Sequence, residues 1–411
     1  MPTPRALPER MGAGSSHPVG LVLTGGGARA AYQVGVLAGI LDVLDPERSP
    51  DFVNPFEIIC GTSAGAINAG ALACHAQDPH VAMDKLEALW GNLQTGMVYH
   101  ADAARLLRTG LRWFAMLAVG WLMPDLRSRQ PRSLLDNQPL GELLAATLDF
   151  EQLERNLSEG ALRALAITAT AYTTGEHITF YQSKGTIKPW QRSLRQAVSS
   201  KIGVDHLLAS SSLPFIFPAQ SMLIRGQTQW CGDGSMRQLA PMSPAIHLGA
   251  KKIFVIGTGY KDDTHPEKKE INPNYPTLAQ IGGHALSNIF LDSLSMDVER
   301  MQRINELLAQ LPVNVLKSQS LRPVSTFVVT PSRSLDEMAL AHLDQMPRAA
   351  RTLFRVLGVS SASGPKMGGG GALISYLLFE AGYTRELIRL GRADGMSRAE
   401  EVKAFFKEAP P

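Results

Sequence analysis

Net charge is nearly absent: 40 Lys and Arg stand against 37 Asp and Glu, leaving +3 over 411 residues. A nucleic-acid binder would carry a strong basic excess, so that class is set aside. Cysteine is scarce as well. Cys60, Cys74 and Cys231 are too few and too scattered for a disulfide framework or a zinc site, which suits a reducing compartment. Long apolar runs are also missing. The most apolar helical stretch, residues 111–123, is broken by Arg112 and Gly120. It falls short of the ~20 residues that cross a bilayer. The first 20 residues are rich in Pro, Gly, Ser and Arg, without the apolar run of a secretion signal. Residues 1–17 therefore read as a flexible tail, and a cytoplasmic protein is expected.

What is present is an ordinary globular composition, 45% apolar and 19% charged. Residues 19–24 (V-G-L-V-L-T) form a short apolar run that suits a buried strand. Gly25-Gly26-Gly27 follows, then residues 28–44 with apolar positions at helical spacing. A second strand is expected at 56–60 (F-E-I-I-C), a tight turn at 61–65, and a helix of small residues from 66 to 75. Two strand–turn–helix units in succession predict a parallel sheet with helices on its faces. Further strands are expected at 164–170, 177–181, 252–256 and 326–330, and helices at 139–148, 278–311 and 335–357. Residues 261–277 are polar with three prolines and read as a linker. It divides an α/β domain at 18–260 from a mostly helical region at 278–411, within which 361–371 is a glycine-rich loop.

The chemistry gathers at three places. Gly61-Thr62-Ser63-Ala64-Gly65 has the G-x-S-x-G spacing between a strand and a helix, the setting that projects a serine hydroxyl above a sheet. Its glycines, two before and two after the serine, remove side chains that would strike neighbouring backbone. Gly25-Gly26-Gly27-Ala28-Arg29 is not a P-loop, because no Gly-Lys-Ser/Thr follows. Consecutive glycines at a helix start expose several N–H groups on one face, a nest fit for the oxyanion of an acyl intermediate. Arg29 could orient that loop or face an anionic head group. The same loop, Gly25-x-Gly27-x-x-Ala30, also satisfies the relaxed dinucleotide fingerprint. That fingerprint expects an acidic residue ending the next strand, where this chain runs into the serine turn.

A serine nucleophile needs a base. His247, His265, His284 and His342 are positionally open to that role, though none sits in a stretch of catalytic character. Asp233, in Trp230-Cys231-Gly232-Asp233-Gly234-Ser235, is bared by flanking glycines and could act within hydrogen-bond reach of Ser63 in a partly dry site. An ordinary Asp-Gly surface turn has the same pattern.

Taken in order, the glycine loop, the elbow, residues 209–218 (A-S-S-S-L-P-F-I-F-P) and the Asp233-Gly234 pair resemble the patatin-like phospholipase family over roughly residues 18–260. Residues 291–305 and 373–383 resemble the C-terminal extension of its bacterial members. The resemblance implies a three-layer α/β/α fold with a mostly parallel sheet. It implies a serine lipid acyl-hydrolase with Ser63 as nucleophile, Asp233 as base and no histidine. It assigns the oxyanion to Gly25, Gly26 and Gly27 with Arg29, and a supporting role to Gly61, Gly65 and Gly234. No metal or organic cofactor is implied. The implied substrates are lipid esters: phospholipids, lysophospholipids or acylglycerols. Two positions depart from the family pattern: Ala30 replaces a glycine, and Ser235 replaces Gly or Ala. Ser235 could hydrogen-bond Asp233 and lower its basicity.

Two other functions remain in play, a non-catalytic lipid- or partner-binding protein on the same fold and a dinucleotide-binding module. Peripheral membrane contact is a further expectation. It comes from Trp113, Phe114 and Trp121 beside Arg108, Arg112, Arg127 and Arg129, a pairing that suits an interface as well as a helix over a cleft. The sequence does not set an oligomeric state.

Overall fold

The computed structural model describes residues 17–100, 133–260, 275–318, 321–359 and 370–408. Most of the tail read at 1–17, the aromatic–arginine segment, residues 261–274 of the linker and most of the glycine-rich loop lie outside the described residues.

A mixed sheet forms the middle layer. Its path runs β10 (Ser325–Val329), β9 (Lys252–Ile256), β1 (Val19–Leu23), β2 (Ile58–Thr62), β3 (Ala164–Ala171), β4 (His177–Ser183), β6 (Arg195–Ser199) and β5 (Gln191–Arg192). The five strands from β10 to β3 are parallel, and β4 turns antiparallel to β3. A hairpin of β7 (Gln220–Ile224) and β8 (Gln227–Asp233) joins the sheet through β8, which runs antiparallel along the end of β3. Strands β1, β2, β3 and β9 are buried throughout. They read as continuous apolar runs because both faces are covered.

Side chains alternate between two cores. Leu21, Leu23, Ile59, Leu165 and Ile167 pack with α1 (Ala31–Leu44), α2 (Ala64–Cys74) and α3 (Pro79–Gly91). Val22, Ile58, Cys60, Ala164 and Ala166 face the other way, toward the helices Ser243–Leu248 and Ser293–Ala309. The result is three layers, α/β/α. The 18-residue stretch Gly27–Leu44 is long and apolar enough by composition to cross a membrane, yet 83% of it is buried inside the fold. It lies against the helix Ala381–Ser397 at glycines. A Cβ on Gly39 would stand 2.6 Å from Arg392 O, and one on Gly395 2.9 Å from Val36 O. Backbone thus meets backbone at this crossing.

Several boundaries differ from the sequence reading. The second strand begins at Ile58, because Phe56 is held in a turn by Asn54 Oδ1. The helix read over 278–311 contains a π turn at Asn288–Asp292, and that over 335–357 is split before Pro347. The hairpin β7–β8 escaped the sequence reading, since its one apolar run, residues 222–224, is short and the rest is mostly polar. Residues after the linker contribute β10 to the same sheet.

Candidate active site

The G-x-S-x-G segment is the sharp turn from β2 into α2. Ser63 stands between them at φ 55° and ψ −131°, in a region that L residues seldom adopt. The glycine spacing follows from crowding. A Cβ on Gly61 would lie 2.5 Å from Gly65 O, and one on Gly65 would lie 2.5 Å from both Leu23 O and Thr24 O. Glycine at 61 thus lets β2 pass close to the start of α2, and glycine at 65 lets the turn sit against the end of β1. Ser63 is 2% exposed, and the N-terminus of α2 points its partial positive charge at the turn.

Asp233 ends β8. The Ser63 hydroxyl donates to Asp233 Oδ2 at 2.6 Å, and the backbone N–H of Ser235 donates to Oδ1 at 2.8 Å. The carboxyl is fully buried, and burial pushes its pKa up from 3.8 to about 6, against the hydrogen bonds of Ser63 and Ser235 that pull it down. The side chain of Ser235 meets no hydrogen-bond partner among the described residues and faces Gly25. Gly234 is pressed against Thr168, 2.6 Å from its Oγ1 for an added Cβ.

Residues 209–218, which had no readable chemistry in the sequence, tie these two groups together. Ser210 Oγ accepts the Ser63 N–H at 2.9 Å, and Ser212 O accepts the Asp233 N–H at 2.9 Å. Both serines are fully buried. Their importance was missed because a hydroxyl that accepts from a backbone N–H leaves no periodic or spacing signal.

The glycine loop meets the Asp233 turn at Ser235 and reaches the cavity beside Ser63 through Gly27. Gly27 has φ 53°, and Thr258 Oγ1 donates to Gly25 O at 2.8 Å. Among the described residues none accepts a hydrogen bond from the N–H of Gly25, Gly26 or Gly27. The contacts of the Arg29 side chain tie it to the C-terminal region. The side chain is 3% exposed and engages Asp336 and Ser375, not solvent.

Gly27 and Ser63 together line an apolar cavity whose walls include Ile67, Leu89, Trp90, Leu144, Leu213 and Phe217. Such a wall suits an alkyl chain, and Ser63 and Ser211 are the hydroxyl-bearing residues that line it. The histidines weighed as bases are placed elsewhere. His247 stacks on Trp190 with centroids 4.7 Å apart, and His342 pairs with Glu386 at 2.6 Å. His284 lies in the helix Leu278–Ser287, and His265 lies outside the described residues. The dinucleotide fingerprint lacks its acidic partner, since β2 ends in Thr62.

A three-layer α/β/α fold with a serine at a strand–helix elbow beside a glycine loop defines a class of acyl hydrolases. The sequence model of the patatin-like phospholipase family matches residues 21–246, and the chain belongs to that family. Its general activity is therefore that of a lipid acyl hydrolase. Among solved structures, VipD from Legionella pneumophila is similar at 13% identity and a TM-score of 0.36, over 95% of this chain and 68% of that one. No curated protein matches the chain.

Proposed function

We propose that the chain hydrolyses lipid carboxylic esters (phospholipids, lysophospholipids or acylglycerols) through a Ser63–Asp233 dyad. The observation that carries this reading is the 2.6 Å hydrogen bond from Ser63 Oγ, a residue that lines the apolar cavity, to the buried Asp233 carboxylate. The acyl chain lies along Ile67, Leu89, Leu144 and Phe217, with its ester carbonyl at Ser63. Ser63 Oγ attacks the carbonyl carbon as its proton passes to Asp233 Oδ2. The negative charge on the carbonyl oxygen is met by N–H groups of Gly25, Gly26 and Gly27 and by the start of α2. Collapse of the tetrahedral intermediate expels the alcohol, which takes the proton back from Asp233. A water then attacks the acyl-enzyme, with Asp233 as base, and releases the fatty acid and free Ser63.

Burial of Asp233 is what makes a carboxylate serviceable here. A carboxyl raised to about 6 is a stronger base than one at 3.8 and is still ionised at neutral pH. The test is a fluorophosphonate probe together with a panel of phospholipids, lysophospholipids and acylglycerols. Labelling at Ser63, with turnover abolished in Ser63→Ala and Asp233→Asn, is expected. Labelling at another serine, or turnover surviving both changes, would reject the dyad.

A further inference from the structure

We infer that the region after the family-matched segment completes the catalytic apparatus: Asp336, Ser375 and Tyr376 hold Arg29, and through it the glycine loop, in the conformation that receives the oxyanion. This rests on the proposed reading of Gly25, Gly26 and Gly27 as the oxyanion loop. The three clamping residues are positioning residues and do not touch substrate.

Arg29 carries its charge at 3% exposure, a position that is costly unless partners replace the lost water. Among the described residues, its side-chain partners come from the C-terminal region. Arg29 Nη2 pairs with Asp336 Oδ1, and Arg29 Nε donates to Ser375 Oγ at 2.8 Å. Ser375 Oγ in turn lies 3.0 Å from Asp336 Oδ1 and 2.7 Å from Ala372 O, so its one proton is shared between Asp336 and its own helix. The guanidinium carbon sits 3.9 Å from the centroid of the Tyr376 ring. Asp336 comes from the helix Leu335–Ala341, and the other two from the helix Gly371–Leu377.

The same elements press on the glycines themselves. Tyr376 O occupies the place where a Cβ of Gly27 would stand, and the Phe290 ring stands 2.6 Å from a Cβ built on Gly25. Phe290 and Tyr376 stack with centroids 5.0 Å apart, so the two contacts form one wall. Arg29 also donates its own backbone N–H to Gly26 O at 3.1 Å, the bond that shapes the turn. Fixing the Arg29 side chain therefore fixes the turn that, through Gly27, lines the cavity together with Ser63. Donors of this kind act only when held to a fraction of an ångström.

The test uses the full chain with Asp336→Asn, Asp336→Glu and Ser375→Ala. It reads kcat and KM on the best ester, melting temperature, and affinity for a long-chain trifluoromethyl ketone, whose carbonyl accepts Ser63 as a tetrahedral adduct. Asp336→Asn should lower kcat by about ten- to a hundred-fold, as a misplaced donor does, with KM changed by less than about two-fold. Ketone affinity should fall by a similar factor, and Asp336→Glu should restore most of both. Should Asp336→Asn fail to fold, Ser375→Ala carries the test, because it removes one hydroxyl only. Folded variants that turn over within about two-fold of the parent protein overturn the inference. So does a lower melting temperature with unchanged ketone affinity, which would make the cluster purely structural. Absence of Ser63-dependent turnover in the parent protein would instead overturn the proposed function, and this inference with it.

Discussion

Ser63 Oγ lies 2.6 Å from Asp233 Oδ2 across a separation of 170 residues, and β3 is the reason. The ladder between β2 and β3 ends with Thr62 opposite Thr168. The next residue of β3, Ala169, is paired with Asp233 of β8. One edge of β3 therefore serves two strands in turn, and hands over between them where the serine and the carboxylate stand. The strands' register sets the spacing of the pair, and Ser210 and Ser212 then fix each backbone N–H.

The first prediction concerns pH. Burial raises the Asp233 carboxyl to about 6, and only its ionised form can accept the Ser63 proton. The value of kcat/KM should fall with acid below about pH 6, approaching ten-fold per pH unit, and level off above it. A profile measured on a monomeric, water-soluble ester avoids effects of pH on a lipid surface. Activity that stays flat down to pH 4 would exclude Asp233 as the base.

The same burial predicts a conflict between activity and stability. The folded-state pKa of Asp233 lies above its ordinary value of 3.8, so the folded protein prefers the protonated form. The stability this provides is present below about pH 4 and is lost as pH rises through about 6. At pH 7 the protein therefore carries a buried, ionised carboxylate at a cost. Asp233→Asn should abolish turnover yet raise the melting temperature at pH 7 by roughly 2–4 °C. The gain should shrink at pH 4.5. A lower melting temperature at pH 7 would show that the charge is not a burden.

Legibility in the sequence followed burial. β1, β3 and β9 were readable because strands covered on both faces are apolar throughout, and the glycine turns beside them punctuate the pattern. The hairpin β7–β8 was not, because its apolar residues are few, only three in a row at 222–224, and Leu223 and Trp230 among them face solvent. Gly61, Ser63 and Gly65 were visible as a spacing, since crowding at one turn forces local residue types. The clamp on Arg29 was invisible, because its partners Asp336 and Ser375 follow it by 307 and 346 residues. Ser210 was visible only as part of a family-like block, since its work is one hydrogen bond to a distant N–H.

That bond yields the third prediction. Ser210→Ala leaves the buried N–H of Ser63 without its acceptor, a loss of about 1–3 kcal/mol in stability. The strained φ of 55° at Ser63 would also lose a support, and kcat should drop by about ten-fold or more. Ser210→Thr keeps a hydroxyl and should retain more activity than the alanine variant. Equal turnover and equal stability in Ser210→Ala would remove the supporting role assigned to this residue.

The last prediction tests the crossing that buries α1. Gly391, in the helix Ala381–Ser397, lies so close to α1 that an added Cβ would collide with Tyr32 O and come within 2.8 Å of Val36 N. Backbone atoms cannot swing aside as a side-chain tip does, so the two helices must separate to admit any larger residue. Gly391→Leu should therefore cost at least about 2 kcal/mol of stability, by overpacking and by loosening the apolar face of α1. Gly282 provides the matched control, because it is also helical but has nothing within 4 Å of an added Cβ. Gly282→Ala should be neutral or stabilise by about 0.4–1 kcal/mol through the unfolded chain. Chemical denaturation of the two variants separates the cases. If Gly391→Leu unfolds at the same denaturant concentration as the parent protein, α1 does not pack backbone to backbone against this helix.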